Sequence, residues 1–350
     1  MSLARINKRK IIINVTVVLA VTLFAFYYLT KSDVIALESV KGVRWWNYLL
    51  VIACVFFGFA ILSLVDLIIY RSFTKSMNFG KCFVNTLSGN LGSGVTPLKS
   101  GHFPLMAYYQ HNAGVPINDT VTGLVKCQIL YSATSIVLYS VVVTALAIGG
   151  YTLVFYGQTV KLWLVVSLGL IFHVAVFTVI VILSYNATIQ NKILKLWAKF
   201  LLKIKKIENV EEYLAEKSVK FQTYREQLSI IGKNFVKYLL PSFLYAFNLF
   251  LTGSIPYISY LLITGSTFSF SALCTFYTLN LASAYITNII PVPGGVGTSE
   301  VLFSLVFASV VSDSYLGSVL ILTRVASFYL TIVINLLVFA CFLFVKRKQK

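Results

Sequence analysis

Asn288-Ile-Ile-Pro291-Val-Pro293-Gly294-Gly295-Val-Gly297-Thr-Ser-Glu300 decides how the chain is read. Two prolines, three glycines and a carboxylate stand between strongly apolar segments. Proline lacks a backbone donor and cannot continue a helix interior. Glycine opens conformations that other residues avoid. The backbone must break here, and the apolar flanks put the break at membrane depth. In hydrocarbon an unpaired backbone group is very costly, so such a break persists only inside protein or beside a wet cavity. A broken helix followed by an acid is a binding-site candidate. The alternative is a sharp extracellular turn with a solvated glutamate.

The rest of the chain supports the membrane setting. Its 350 residues are 58% hydrophobic and 11% charged, against about 25% charged in a soluble domain. The formal net charge of +18 would suggest nucleic acid in a soluble protein. Here the accumulation of Lys and Arg in cytoplasmic loops accounts for it. Cys54, Cys82, Cys127, Cys274 and Cys341 are scattered without a C-x-x-C pair, so neither a disulfide framework nor a zinc site is expected. No His/Asp/Glu group has metal spacing, and no cofactor is expected. Thr96-Pro-Leu-Lys-Ser100 looks superficially like a phosphate loop. Leu98 stands where that loop needs glycine and no strand precedes it, so no ATP site is expected.

A bilayer core of about 30 Å needs roughly 20 apolar residues per helix. Residues 11–30, 45–70, 123–148, 160–184, 235–263 and 317–345 meet that length, which predicts six full spans. The first follows Arg5, Lys8, Arg9 and Lys10 like a signal peptide, but its apolar run is too long for a cleaved one. Regions 82–104 and 268–311 are too short or too broken to span and are expected as re-entrant helical hairpins. Charge places them. Lys and Arg number four in residues 1–10, three in 71–81, eleven in 185–237 and four in 346–350. The alternate loops hold only Lys31, Lys41, Arg44 and Lys161. The positive-inside rule then puts both termini in the cytoplasm and makes both broken regions same-side hairpins. The first enters from the cytoplasm and the second from outside. The expected fold is an all-α polytopic membrane protein, one domain over residues 1–350, built as an inverted repeat. Repeat one covers about residues 11–148, repeat two about 160–345, with a cytoplasmic amphipathic connection at about 185–234. In inverted-repeat transporters, paired Gly/Pro-interrupted segments mark the transport site near the midplane.

Lys192, Lys195, Lys199, Lys203 and Lys206 recur every three or four residues, with Ile193, Trp197, Phe200, Leu201 and Ile204 on another face. That is a cationic amphipathic helix suited to an anionic lipid interface, or else a positive-inside loop that is helical. Glu300 and Arg324 are the deepest charges of the second half. Each would cost about 2.5–3.5 kcal/mol at the centre of a lone inserted helix, so they pair, face a wet groove, or snorkel to the outer interface. Lys99 and His102 are their counterparts in the first half, favoured by a lipid phosphate or lying at the cytoplasmic rim. Asp66 and Arg71 read as an ion pair or an interfacial placement. His173, alone, reads as a buried, hydrogen-bonded histidine. Asn280, Asn288 and Asn335 line a polar path or join helices.

Pro291-Val-Pro293-Gly294-Gly295-Val-Gly297-Thr-Ser-Glu300 closely resembles the P-x-P-G-G-x-G-x-x-E signature of the lysylphosphatidylglycerol synthase transmembrane-region family, also called flippase-like. Thr96-Pro97-Leu-Lys-Ser-Gly101-His102-Phe-Pro104 is similar to that family's first motif, T-P-x-x-x-G-G-x-P, with His102 in place of the second glycine. The resemblance implies an integral-membrane module that moves a lipid between leaflets of a bacterial plasma membrane. In the best-known members it is fused to a soluble domain that transfers lysine to phosphatidylglycerol. Here Lys346-Arg-Lys-Gln-Lys350 follows the sixth span directly, so a module without that lysyltransferase domain is expected.

The leading expectation is therefore translocation of a phospholipid or glycolipid, such as an aminoacylated phosphatidylglycerol, without an ATPase of its own. Pro291, Pro293, Gly294, Gly295 and Gly297 would shape one hairpin tip, with the glycines allowing close backbone approach. Glu300 would pair an amine headgroup or carry a proton, and Arg324 would hold a phosphate or pair Glu300. Pro97, Lys99, Gly101 and His102 would act in the other tip. The partners so implied are membrane lipids, anionic or aminoacylated, and not nucleic acid. A separate lipid-synthesising enzyme and a second copy of the chain are further candidates. The alternatives are a membrane-embedded lipid-modifying enzyme and an ion-coupled small-solute transporter.

Overall fold

Long apolar runs can satisfy their backbone in hydrocarbon only as helices or closed barrels, and helices dominate. The structure, a computed structural model, describes residues 44–155, 158–203 and 236–348, with isolated positions at 209–211, 213–214 and 226. Helix α1 (Trp45–Arg71) leads to a pair of shorter helices, α2 (Phe79–Gly94) and α3 (His102–Asn112). The long α4 (Ile117–Gly149) follows, then a ribbon of β1 (Thr152–Phe155) and β2 (Gln158–Lys161). Next come α5 (Leu162–Tyr185), α6 (Ala187–Lys203), α7 (Val236–Gly253) and α8 (Ile255–Thr264). A second pair, α9 (Phe270–Ile289) and α10 (Thr298–Phe307), precedes α11 (Asp313–Arg324) and α12 (Leu330–Lys348).

Among the described residues five stretches are long and apolar enough to cross a membrane: Trp45–Arg71, Ile117–Gly149, Leu162–Leu183, Val236–Thr264 and Asp313–Val345. They correspond to five of the six expected spans. The sixth, residues 11–30, lies outside the described residues, as does most of the connection after Lys203. On α5, Leu168, Ile171 and Phe172 are each about two-thirds exposed. Water would penalise so broad an apolar face; acyl chains would not.

Three expectations are corrected. The segment expected to be helical from Val160 starts as a strand: β1 and β2 form an antiparallel ribbon with Thr152 opposite Lys161. Gly150 ends α4 in the left-handed conformation, with φ 66°, as helix C-termini favour. The β-branched residues Thr152, Val154, Thr159 and Val160 then suit an extended pair. Asp66 and Arg71 do not pair: Asp66 is buried and Arg71 exposed. His173 is half-buried, and its ring stacks on Tyr285 rather than making an internal hydrogen bond.

The fourth of these stretches is interrupted at Ser254. Pro256 has no N–H to continue the ladder, and at the same break the Gly253 carbonyl accepts from Asn280 Nδ2 at 3.1 Å. Asn335 Nδ2 donates to Asn90 Oδ1 at 2.8 Å, joining α12 to α2. These two asparagines join helices, whereas Asn288 is exposed.

The first helix pair packs against helices from the other half of the chain. Leu91, Val95, Leu105 and Tyr109 share a core with Ile332 and Phe339 of α12. Val51, Val55 and Phe59 of α1 share another with Leu87, Ile255, Leu322 and Ala326. The second pair sits on α4, α5 and α11 through Tyr139, Val166, Phe276, Phe303, Phe307 and Leu320. The two pairs are thereby brought tip to tip.

Candidate functional site

The first tip is built from Thr96 to Gly101. Pro97 opens a 3-10 turn over Pro97–Lys99. Thr96 Oγ1 donates to the Gly92 carbonyl at 2.7 Å and accepts from the Gly101 N–H at 2.7 Å. One hydroxyl thus ties the end of α2 to the start of α3. Gly92 and Gly101 lie back to back, and a Cβ on Gly101 would sit 2.7 Å from the Gly92 carbonyl oxygen. Leu98 and Lys99 both take left-handed backbone conformations, with φ 51° and 55°. Each costs a side-chain-bearing residue roughly 1–2 kcal/mol. Leu98→Gly is accordingly expected to raise stability by about 1 kcal/mol, read as a higher melting temperature in detergent.

Lys99 is exposed at this tip. His102 faces the other way. Its Nδ1 lies 3.0 Å from the Gly89 carbonyl oxygen and 2.9 Å from Ser93 Oγ. It therefore braces α2 against α3.

The second tip runs from Pro291 to Gly297. Pro293 opens another 3-10 turn, Pro293–Gly295. Gly294, Gly295 and Gly297 have φ of 62°, 65° and 82°. The close approach Gly294 permits is to the first pair, at the end of α2, whereas a Cβ on Gly295 would meet Thr287 of α9. A Cβ on Gly294 would sit 2.7 Å from the Gly94 carbonyl oxygen and would also overlap the Phe328 ring. The two 3-10 turns pack directly on each other.

Glu300 lies three residues after Gly297, which caps α10. Its Oε2 accepts from the Gly297 N–H at 2.7 Å and from Ser299 Oγ at 2.9 Å. This is the carboxylate half of a capping box, with a glycine as N-cap. Its Oε1 accepts from Arg324 Nε at 2.7 Å and from the Tyr329 hydroxyl at 2.7 Å. Glu300 is 3% exposed. With four donors on two oxygens, it has little capacity left for an amine headgroup. Of the two roles expected for Arg324, pairing Glu300 is the one this geometry displays.

Convergence of Arg324 and Tyr329 on one oxygen needs special backbone. In an α-helix, residues five apart point about 140° away from each other. Residues Val325–Tyr329 form a π-helical turn, whose i→i+5 spacing returns them to one face. Arg324 also lies over the Phe328 ring at 4.5 Å and the Tyr329 ring at 5.6 Å. Its Nη2 is buried with no hydrogen-bond partner among the described residues. Tyr329 and Phe328 carry no signal in the sequence reading. A G-x-x-E spacing before an apolar run, by contrast, is a legible capping signature for Glu300.

Away from the tips, α6 forms as expected, and Lys192, Lys195, Lys199 and Lys203 are all exposed on it. Lys206 lies outside the described residues. Leu194 and Ala198 are buried, while Ile193, Leu196 and Trp197 are exposed. Among the described residues no group of three or more His, Cys, Asp or Glu side chains has the arrangement to hold a metal.

Apolar helices of spanning length, several with lipid-suited outer faces, define a multi-pass membrane protein. The chain belongs to the lysylphosphatidylglycerol synthase TM region family, whose model matches residues 11–334. That match takes in both tips, Arg324 and Tyr329, as well as the first expected span. It places the protein in a family that handles membrane lipids. No curated protein matches the chain.

Proposed function

We propose that this protein moves a phospholipid or glycolipid with an anionic or aminoacylated headgroup between the leaflets of the plasma membrane, without an ATPase of its own. One observation carries the reading: two broken helix pairs meet tip to tip beside a half-buried arginine whose buried Nη2 has a donor to spare. In this reading residues 1–350 form one domain of six spans, with both termini cytoplasmic and the two pairs re-entrant from opposite faces. The repeats are inverted. Taking a charged headgroup through hydrocarbon without compensation is prohibitive. Lys99 and the unpaired Nη2 of Arg324 would replace water around a phosphate while the acyl chains stay in lipid. Pro97, Gly101, Pro291, Pro293, Gly294, Gly295 and Gly297 hold the tips in contact. Glu300 orients Arg324, and His102 keeps the first pair rigid.

The reading is tested by reconstituting the protein in vesicles carrying a fluorescent phosphatidylglycerol in one leaflet. Faster exchange than in protein-free vesicles supports it. Equal rates for every anionic and amine-bearing lipid tried would sink it. Arg324→Lys, which keeps a cation beside Glu300 but lacks the spare Nη2 donor, should slow exchange of phosphate lipids while lowering the melting temperature less than Arg324→Gln, which strands the buried Glu300 carboxylate.

Helix α6 would lie on the cytoplasmic leaflet, with Ile193 and Leu196 among the headgroups. Each lysine near an anionic surface is worth about 1 kcal/mol. Replacing Lys192, Lys195, Lys199 and Lys203 together by Gln is expected to abolish the dependence of exchange on the fraction of anionic lipid. Comparing both proteins in vesicles with and without phosphatidylglycerol checks this.

A further inference from the structure

Asp66 is buried in α1 far from the tips in sequence, and no step so far uses it. Its Oδ2 accepts from Asn85 Nδ2 of α2 at 3.1 Å. Its Oδ1 lies 3.4 Å from Cys127 Sγ of α4, which donates to it. Behind Asn85, Gln110 of α3 donates to Asn85 Oδ1 at 3.1 Å and exchanges hydrogen bonds with the Tyr70 hydroxyl at 2.8 and 2.9 Å. Asp66, Asn85, Gln110, Tyr70 and Cys127 are all at least nine-tenths buried.

The titratable groups around this carboxyl are Tyr70 on its own helix, Cys82 on α2, Cys127 on α4 and Tyr245 on α7. All are neutral at pH 7. Two cations lie on the same helices. Arg71 is exposed. Lys126 is buried, its Nζ 4.5 Å from the centre of the Phe73 ring, with no hydrogen-bond partner among the described residues. Neither bonds Asp66. A carboxylate held among neutral donors in a dry interior lacks the compensation a buried charge needs. A proton supplies it.

We infer that Asp66 is a proton-binding site that couples transport to a proton gradient, an inference that rests on the lipid-translocation reading for its cargo. On protonation the carboxylate takes one proton and becomes a carboxylic acid. Its Oδ1–H then donates to the Cys127 sulfur, reversing that hydrogen bond, while Asn85 still donates to Oδ2. Charged and neutral Asp66 therefore differ by one reversed hydrogen bond and one buried charge, and the bonds run directly to α2 and, through Asn85 and Gln110, to α3, the pair that carries the first tip. Proton binding on one side of the membrane and release on the other would bias the position of that pair.

For one proton per lipid, a gradient of one pH unit shifts the steady-state leaflet ratio about tenfold. The experiment measures that ratio for a fluorescent phosphatidylglycerol in proteoliposomes, with and without the gradient. The wild type is expected to show the shift, and Asp66→Asn, which keeps a neutral side chain of the same shape, to show the same ratio in both conditions. A wild type that ignores the gradient, or a variant that still follows it, overturns the inference. Infrared difference spectra between acid and neutral pH, compared for wild type and Asp66→Asn, provide a second readout that needs no cargo. Spectra of protein carrying isotope-labelled aspartate should contain a shifted carbonyl band from a titrating acid that is missing from Asp66→Asn; if the two proteins give the same bands, the proton site is overturned. If no probe lipid moves but that band is present, the lipid reading fails while the proton site stands.

Discussion

Glu300→Ala is expected to destabilise the protein by about 3–5 kcal/mol, because removing one partner leaves a buried charge uncompensated. Arg324 would lose its Nε acceptor at 2.7 Å, Tyr329 its hydroxyl acceptor, and the Gly297 N–H its cap. Thermal unfolding in detergent reads the loss. Glu300→Gln is expected to fall between, since an amide oxygen still accepts one or two of the four bonds but offsets no charge. Combining Glu300→Ala with Arg324→Met should recover part of the stability, as exchanging a whole buried pair for apolar side chains is often tolerated. Transport is lost in all three if Arg324 is the phosphate ligand and Glu300 its support. A Glu300→Ala protein that melts with the wild type would show that the pair contributes nothing to the fold.

Gly294→Ala is expected to cost about 2–4 kcal/mol, combining left-handed strain with overpacking. Gly294 has φ 62°, and the added carbon would meet the Gly94 carbonyl oxygen and the Phe328 ring. Backbone from the other half of the chain cannot rotate out of the way. Gly265 supplies the control: its φ is 66°, but nothing lies within 4 Å of a Cβ there. Gly265→Ala should therefore show the backbone term alone, about 1–2 kcal/mol. If the two variants melt together, the tips are not in tight contact. If Gly294→Ala folds normally yet exchanges lipid freely, the tip contact is irrelevant to transport.

Much of the fold is legible because membrane insertion is a local, one-dimensional problem. A run such as 45–70 must be helical wherever it packs, since its backbone has no other donors. Pro291, Pro293 and the three following glycines announce a break for equally local reasons. Helix α6 is visible from the spacing of its lysines. The ribbon at 152–161 is missed because apolar, β-branched residues in a membrane protein read as the start of the next span.

The site is legible in part. Glu300 and Arg324 stand out, since charges are rare in apolar sequence, but their partnership is set by distance across 24 residues of chain. Tyr329 is invisible beforehand: under regular helical spacing it points away from Arg324, and only the π turn brings both onto Oε1. His102 looks like a ligand in sequence and is a brace in the fold. Asp66 looks interfacial because it lies five residues from the end of α1, yet α2, α3 and α4 close over it.

By itself the sequence determined the membrane setting, the number and approximate bounds of the described apolar helices, the two breaks, and the family motifs, all of which follow from composition and short-range spacing. Only the tertiary structure decided that the breaks touch, that Glu300 is spent on four donors while Arg324 keeps one free, and that Asp66 is sealed among neutral groups. Those are contacts between residues up to about 200 apart in the chain. They depend on how helices from the two halves pack, and helix packing is governed by shape complementarity that no short window of sequence contains.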